Sequence, residues 1–141
     1  MSTLARAIAI AAQAHEQQRE KSGAPYIMHP IRLMLRMNTE TEMMVAILHD
    51  VVEDTPWTLE QLRQEGFSDE VVEAIDCVTR RSTETYAEFV DRARDNLVAR
   101  KVKLADLEDN MDVRRLPDIS DRSLERLKKY HEAWRSLRDM K

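Results

Sequence analysis

The chain has 141 residues, of which 34% are charged, with a net charge of −4 at pH 7 and a pI of about 5.6. This acidic balance excludes a broad basic surface for a nucleic acid polymer, so local cations must hold any anionic ligand. The length suits one domain with a sizeable core and leaves no room for a second substantial domain. We therefore expect one domain over residues 1–141.

No segment is long and apolar enough to span a membrane, and the apolar N-terminus does not have the form of a signal peptide because Arg6 and Gln13 interrupt it. The single cysteine excludes a disulfide framework and a zinc–cysteine cluster within one chain. We expect a cytoplasmic protein with no membrane partner, and whether it forms a homo-oligomer stays open.

Apolar residues recur at helical spacing through most of the chain. With only 2 glycines and 4 prolines, the sequence offers few signals for β-turns. A capping-box pattern runs from Thr58 to Gln61, and Gly66 suits the stop of the same short helix. We therefore predict an all-α fold with helices at about 3–18, 30–37, 40–53, 59–65, 69–79, 84–95, 96–112 and 121–139.

His29 precedes the second of these helices, between Pro25 and Pro30. Because proline suits the first turn of a helix, His29 should lie at the helix N-terminus. Periodicity alone allows two interpretations: a ligand-binding imidazole or a hydrogen-bonded histidine of the core.

The third predicted helix ends in ILHDVVEDT, residues 47–55, which places His49, Asp50, Glu53 and Asp54 within six consecutive positions. Ionisable groups are costly to bury unless they are paired or bound to a metal. In a continuous helix, His49 lies one turn from Glu53, and Asp50 one turn from Asp54. Imidazole and carboxylate are ligands of divalent metals, so this helix offers two ligands beside two further acids. Alternatively, the last two acids simply end the helix, at a small cost from the helix dipole.

A second acidic position interrupts an apolar stripe in VKLADLEDNMD, residues 102–112, where Asp106 is followed one turn later by Asn110. Asp106 is the best candidate for a fourth ligand, and its alternative role is that of a surface or capping acid. Nearby cations are candidates for a phosphate patch, although a solvated helix face is the more ordinary interpretation. These cations are Arg100, Lys101, Lys103, Arg114 and Arg115.

Three segments in this order, 21–30 (KSGAPYIMHP), 47–55 and 102–112, resemble the hydrolase domain of the RelA/SpoT family, in particular its small alarmone hydrolases. These are HD-domain metal-dependent phosphohydrolases. The resemblance implies a helical bundle with the metal site between central helices. It implies that Glu53 and Asp54 position and activate water. It also implies one divalent ion, usually manganese, bound by His29, His49, Asp50 and Asp106.

The resemblance further implies a nucleotide as small-molecule substrate. Lys21, Ser22 and Asn110 match positions that border the nucleotide and its phosphates. Tyr130 matches a tyrosine near the nucleotide, although with Trp134 it equally suits an aromatic packing stripe. The family removes the 3′-pyrophosphate of guanosine tetra- or pentaphosphate (ppGpp, pppGpp), which ends the stringent-response signal. Ligand chemistry alone does not choose among manganese, iron, zinc and magnesium.

Two departures from the family concern base recognition. Glu20 stands where an arginine typically stacks on guanine, and Leu107-Glu108-Asp109 replaces an Arg-Leu-His run. An acid cannot provide cation–π stacking and would repel phosphate, although Arg19 is available one residue earlier. We therefore expect weakened guanine specificity, with adenosine alarmones (ppApp) as further substrates. The alternatives are an HD phosphohydrolase of another nucleotide, such as the NADPH 2′-phosphate, and a non-catalytic nucleotide-binding module.

Overall fold

The computed structural model describes residues 1–139, and within them the protein is helical, as predicted. The only β-structure in this range is an isolated bridge between Arg19 and Pro25. None of the helices described is long and apolar enough to cross a membrane. In chain order the α-helices are α1 Leu4–Ala14, α2 Met28–Leu35, α3 Glu40–Leu48, α4 Val51–Asp54, α5 Leu59–Gln64, α6 Asp69–Cys77, α7 Tyr86–Arg94, α8 Leu97–Asn110 and α9 Asp121–Arg138, with a 3-10 turn at Val113–Arg115.

Polar side chains fix where several helices begin. The predicted capping box of α5 is present: Thr58 Oγ1 accepts from the Gln61 N–H at 3.1 Å, and Gln61 Oε1 accepts from the Thr58 N–H at 3.0 Å. The same arrangement opens α3 and α7. Each box satisfies two backbone donors that a helix start leaves unpaired. Gly66 follows α5 with a φ of 96°, the left-handed conformation expected of a helix stop.

The first helix is shorter than the predicted 3–18 because the chain turns into a small hairpin at 18–26. The Tyr26 N–H donates to the Gln18 carbonyl at 3.0 Å across this hairpin. Gly23 closes it with a φ of 92°, which side-chain-bearing residues rarely adopt. Helical periodicity in the sequence does not predict this hairpin. The hairpin places the predicted substrate-binding segment beside the site.

The predicted helix 40–53 is wrong in one respect, because the chain breaks at His49 and Asp50 into α3 and α4. A continuous helix would offer the Ala46 carbonyl to the Asp50 N–H. The carbonyl instead accepts a hydrogen bond from His49 Nδ1 at 2.7 Å. Asp50 has φ −106° and ψ 0°, outside the helical range. His49 and Glu53 are therefore not related by one turn of a continuous helix.

The core places the ends of several helices at one point. Residues Val45–Leu48, the last turn of α3, are fully buried, and α3 contacts α1, α2, α6 and α8. Burying each of the three larger side chains, Val45, Ile47 and Leu48, stabilises the fold by about 1.5–3 kcal/mol, so α3 is firmly held. A smaller core joins α7, α8 and α9 through Val90, Leu107, Ala133 and Leu137. The end of α3, the start of α2 and the middle of α8 meet between these cores.

Candidate active site

The four predicted metal ligands lie together at this meeting point. Asp106 Oδ1 is 2.9 Å from His29 Nε2 and 3.4 Å from His49 Nε2. Asp50 Oδ2 is 3.1 Å from His49 Nε2. Ligand atoms of His29, His49 and Asp50 all lie within 4.8 Å of one another. Asp106 is only 6% exposed, so it is not the surface or capping acid considered as its alternative role.

Hydrogen bonds fix the orientation of both imidazole rings. His49 Nδ1 donates to the Ala46 carbonyl, and His29 Nδ1 donates to Asp109 Oδ2 at 2.5 Å. Each ring therefore turns Nε2 toward the ligand carboxylates, and within residues 1–139 His49 Nε2 is buried with no hydrogen-bond partner. An imidazole whose Nδ1 proton is engaged presents the Nε2 lone pair, as metal-binding histidines do. The donor set fits a divalent cation.

The electrostatics of the cluster favour positive charge at its centre. Burial lowers the pKa of the His49 imidazole, but the negative charges of Asp50 and Asp106 raise it well above its usual value. Burial raises the pKa of the Asp106 carboxyl, but the Lys103 ammonium, 3.0 Å away, and both imidazoles hold it well below the usual range. Two anionic carboxylates thus surround the ring nitrogens, and a proton or a metal ion balances them.

Glu53 and Asp54, the predicted catalytic acids, lie on α4 at the exposed edge of the cluster. Their carboxylate oxygens and one of Asp50 lie within 4.8 Å of one another. Glu53 Oε1 accepts a hydrogen bond from the Arg80 backbone N–H at 2.7 Å. Partial desolvation, with the charges of Asp50 and Glu53, raises the pKa of Asp54 to about 6. A carboxylate with this pKa is suited to accept a proton near neutral pH.

Two cavities adjoin the cluster. The smaller, of about 190 Å³, is bordered by Asp50, Asp106 and both predicted catalytic acids. The larger, of about 320 Å³, is lined by the hairpin at 18–26, the 3-10 turn and α9. Asn110 and Tyr130 line both cavities, so the two cavities are adjacent. We name them the metal-side cavity and the hairpin-side cavity.

The fold brings some, but not all, of the predicted substrate-binding residues together. Lys21 lines the hairpin-side cavity, and Asn110 and Tyr130 stand at its junction with the metal-side cavity. Tyr130 also packs against the smaller core, so its two interpretations are compatible. Ser22 lines neither cavity, because it lies in the exposed hairpin turn, where its Oγ accepts from the Ala24 N–H at 3.4 Å.

Glu20 does not face the hairpin-side cavity as a free acid. Its carboxylate is 9% exposed, pairs with Arg115 and lies 3.4 Å from the Arg32 guanidinium. Both arginines also pair with Asp109, each at 2.9 Å. The charges of the two acids and two arginines offset one another, so Glu20 does not face the cavity as an unpaired carboxylate.

Three further residues touch the predicted ligands. Tyr26 donates a hydrogen bond to Asp50, and Asp109 accepts one from His29. Lys103, a candidate above for a phosphate patch or for a solvated helix face, is 7% exposed and bound to Asp106. Its position three residues before Asp106 puts both on one helix face, which was a usable signal. The other two partners are distant along the chain, and periodicity does not reveal them.

The central helices of the bundle direct two imidazoles and two carboxylates to one point. Such a bundle belongs to the class of helical proteins with a His/Asp metal site. A family model described as the HD domain matches residues 7–129. The chain belongs to the HD domain family.

Curated relatives resemble part of the chain. A protein of Synechocystis named probable guanosine-3′,5′-bis(diphosphate) 3′-pyrophosphohydrolase is 40% identical over 124 residues, 77% of this chain and 16% of the relative. The guanosine-3′,5′-bis(diphosphate) 3′-pyrophosphohydrolase of Haemophilus influenzae is 45% identical over 75 residues, 50% of this chain and 11% of the relative. The chain therefore spans less than a fifth of the length of these relatives.

A solved structure shows the same fold. It is described as "A metazoan ortholog of SpoT hydrolyzes ppGpp and plays a role in starvation responses", and it aligns with a TM-score of 0.78 at 24% identity. The alignment covers 99% of this chain and 87% of that one. The predicted all-α HD bundle is confirmed.

Proposed function

We propose that the protein is a metal-dependent hydrolase that removes the 3′-pyrophosphate of (p)ppGpp or its adenosine analogue ppApp. The observation that carries the proposal is the shared cavity, which brings the metal-ligand carboxylates within reach of Glu53 and Asp54. The names of the Synechocystis and Haemophilus influenzae relatives support the 3′-pyrophosphate as the group removed.

The four residues His29, His49, Asp50 and Asp106 would hold one divalent ion, and we propose manganese because of the resemblance to alarmone hydrolases. A bound ion of this kind supplies Lewis acidity toward water and phosphate oxygens. Tyr26 and Lys103 hold the two ligand carboxylates in place, and Asp109 fixes the His29 ring. Such supporting contacts keep ligands oriented before substrate arrives.

Glu53 and Asp54 would carry the proton transfer. Asp54 accepts a proton from the attacking water, and Glu53, held by the Arg80 N–H, orients that water. The water oxygen bonds to the inner phosphorus of the 3′-diphosphate while the bond from that phosphorus to O3′ breaks. The electron pair remains on O3′, which takes up a proton. The products are the nucleotide with a free 3′-hydroxyl and pyrophosphate.

The hairpin-side cavity would receive the nucleoside and its 5′-phosphates. Lys21 is exposed at its rim and supplies a cation to a phosphate. Asn110 and Tyr130 lie at the junction and would contact the ribose and the 3′-oxygen region. Ser22 would contact phosphate only after its hydroxyl leaves the hairpin turn.

A substrate panel tests the activity. Purified protein is incubated with manganese and ppGpp, ppApp or NADPH, and the products are separated by chromatography. We expect the nucleoside 5′-diphosphate and pyrophosphate from ppGpp and ppApp, and none after chelation. If ppGpp binds but is not hydrolysed with any of manganese, iron, zinc or magnesium, the protein is instead a non-catalytic module. Release of phosphate from NADPH alone would favour the other phosphohydrolase.

Metal content tests the ligand set separately. Purified protein should carry about one divalent ion per chain, and Asp106→Ala should lose it because an intact ligand set is needed. Asp112→Ala is the matched control, since Asp112 pairs with exposed Arg114 away from the cluster. Elemental analysis of both variants is the measurement. Unchanged metal content in Asp106→Ala would contradict the assignment.

A further inference from the structure

Two cations border the metal-side cavity without an acidic partner. Arg80 and Lys129 line it together with Glu53 and Asp54. Among the ion pairs formed within residues 1–139, neither the Arg80 guanidinium nor the Lys129 ammonium takes part in one. The third cation of this cavity, Lys103, is neutralised by Asp106. The positive charge of Arg80 and Lys129 is therefore available to a ligand.

The Tyr86 ring holds these two cations in place. Lys129 Nζ lies 4.5 Å from its centroid, and Arg80 Cζ lies 5.6 Å from it. An aromatic face attracts cations but has no net charge, so it orders the pair without neutralising it. Burial lowers the pKa of Lys129, as do the charges of Arg80, Arg126 and Lys103.

The position of the pair relative to the acids indicates which part of a substrate it meets. Asp50 and Asp106 mark where the reacting phosphorus lies, and Asn110 and Tyr130 mark the way to the nucleoside. The remaining lining of this cavity includes Arg80 and Lys129. A 3′-diphosphate differs from a 3′-monophosphate by one outer phosphate, whose oxygens accept charge-assisted hydrogen bonds from arginine and lysine.

We propose that Arg80 and Lys129 form a subsite for the outer phosphate of a nucleoside 3′-diphosphate. The pair makes the enzyme select 3′-diphosphates over 3′- or 2′-monophosphates. This inference rests on the proposed function, because it assigns the selectivity of the same site.

Selectivity between two matched nucleotides is the first test. The kcat/KM values are measured for ppGpp and for the same nucleotide with a 3′-monophosphate, in Arg80→Gln, Lys129→Gln and Lys128→Gln. Each of the first two substitutions should lower kcat/KM for ppGpp by about tenfold or more and leave the monophosphate within about twofold. Lys129→Arg should retain the preference. Lys128 is exposed on the same helix, so its substitution should change neither value.

The results that overturn the subsite are equally specific. Equal losses on both nucleotides would assign the pair to packing around Tyr86, and unchanged ratios would show that another group reads the outer phosphate. Thermal melting of each variant shows that the fold is retained. The double variant should then approach the same kcat/KM on both nucleotides.

Calorimetric titration with inorganic pyrophosphate and with orthophosphate separates this inference from the proposed function. Wild type should prefer pyrophosphate, and Arg80→Gln or Lys129→Gln should weaken pyrophosphate binding about tenfold. A protein without turnover whose pyrophosphate binding still depends on both residues keeps the subsite and loses the hydrolase function. Turnover of ppGpp with pyrophosphate binding indifferent to both substitutions overturns the subsite alone.

Discussion

Two groups of cations near the metal-ligand cluster differ in how they are neutralised. The paired cluster comprises Arg32, Arg115, Glu20 and Asp109. The open pair comprises Arg80 and Lys129, which contact an aromatic ring and form no ion pair within residues 1–139. A charge that is already in an ion pair stabilises the structure. A charge without such a partner can bind an incoming anion without first breaking an ion pair. In the proposed function the paired cluster supports the ligands, and the open pair, with the acids of α4, would face the substrate.

The largest expected effect concerns the acids on the substrate side. In the proposed mechanism Glu53 and Asp54 act on water rather than on packing, so Glu53→Gln and Asp54→Asn should lower kcat by about 100-fold or more. Their thermal melting should stay close to wild type, in contrast to substitutions in the paired cluster. Glu60→Gln, at an exposed acid of α5, is the control and should keep full activity. Near wild-type turnover in both variants, with metal bound, would place water activation elsewhere.

The pH dependence of activity sharpens the assignment to Asp54. A general base must be ionised, and the pKa of Asp54 is raised to about 6 in the chain without metal. Activity should therefore rise with pH through this range, and a nearby bound cation moves the limb to lower pH because it favours the carboxylate. Profiles of kcat/KM against pH are the measurement. An identical acidic limb in the residual activity of Asp54→Asn would assign that limb to another group.

The sequence predicted those parts of the site where an ionisable side chain interrupts an apolar pattern. His49 and Asp50 follow a wholly apolar run, and Asp106 lies on an apolar stripe, so their cost of burial was visible. The helix break at His49 was not visible, because it depends on a ring nitrogen that takes the Ala46 carbonyl. The state of Glu20 was hidden for another reason: its partner Arg115 lies 95 residues away, and only the fold brings the two together.

The paired cluster should respond to Asp109→Ala mainly through stability and metal affinity. This variant leaves both arginines without one partner and His29 Nδ1 without its acceptor. The free energy of unfolding should fall by about 2 kcal/mol, less than for a fully buried pair because Arg32 is partly exposed. Manganese affinity should fall about 10- to 100-fold. Urea unfolding and metal titration measure the two effects.

The acidic control and the pH dependence test the same cluster. Asp112→Ala should cost no more than about 1 kcal/mol, since its partner Arg114 is exposed. Burial raises the pKa of Asp109, but hydrogen bonds from His29 and Arg32 hold it well below the usual range. Its contribution is therefore present above the ordinary aspartate pKa of about 4 and is lost as pH falls below it. Equal destabilisation by both substitutions would show that Asp109 is an ordinary surface acid.

The smallest expected effect is on base selection, where the paired cluster borders the hairpin-side cavity. Arg115 is held by Glu20, by the Asp109 carbonyl and by Asn110 Oδ1, so it is not free to stack on a base. Wild type should therefore prefer guanosine over adenosine tetraphosphate by less than about tenfold in kcat/KM. Glu20→Arg should raise this ratio by supplying a free guanidinium, whereas Glu20→Gln, which removes only the charge, should leave it unchanged. A strong wild-type guanine preference that Glu20→Arg does not alter would show that another residue reads the base and that position 20 serves only the paired cluster.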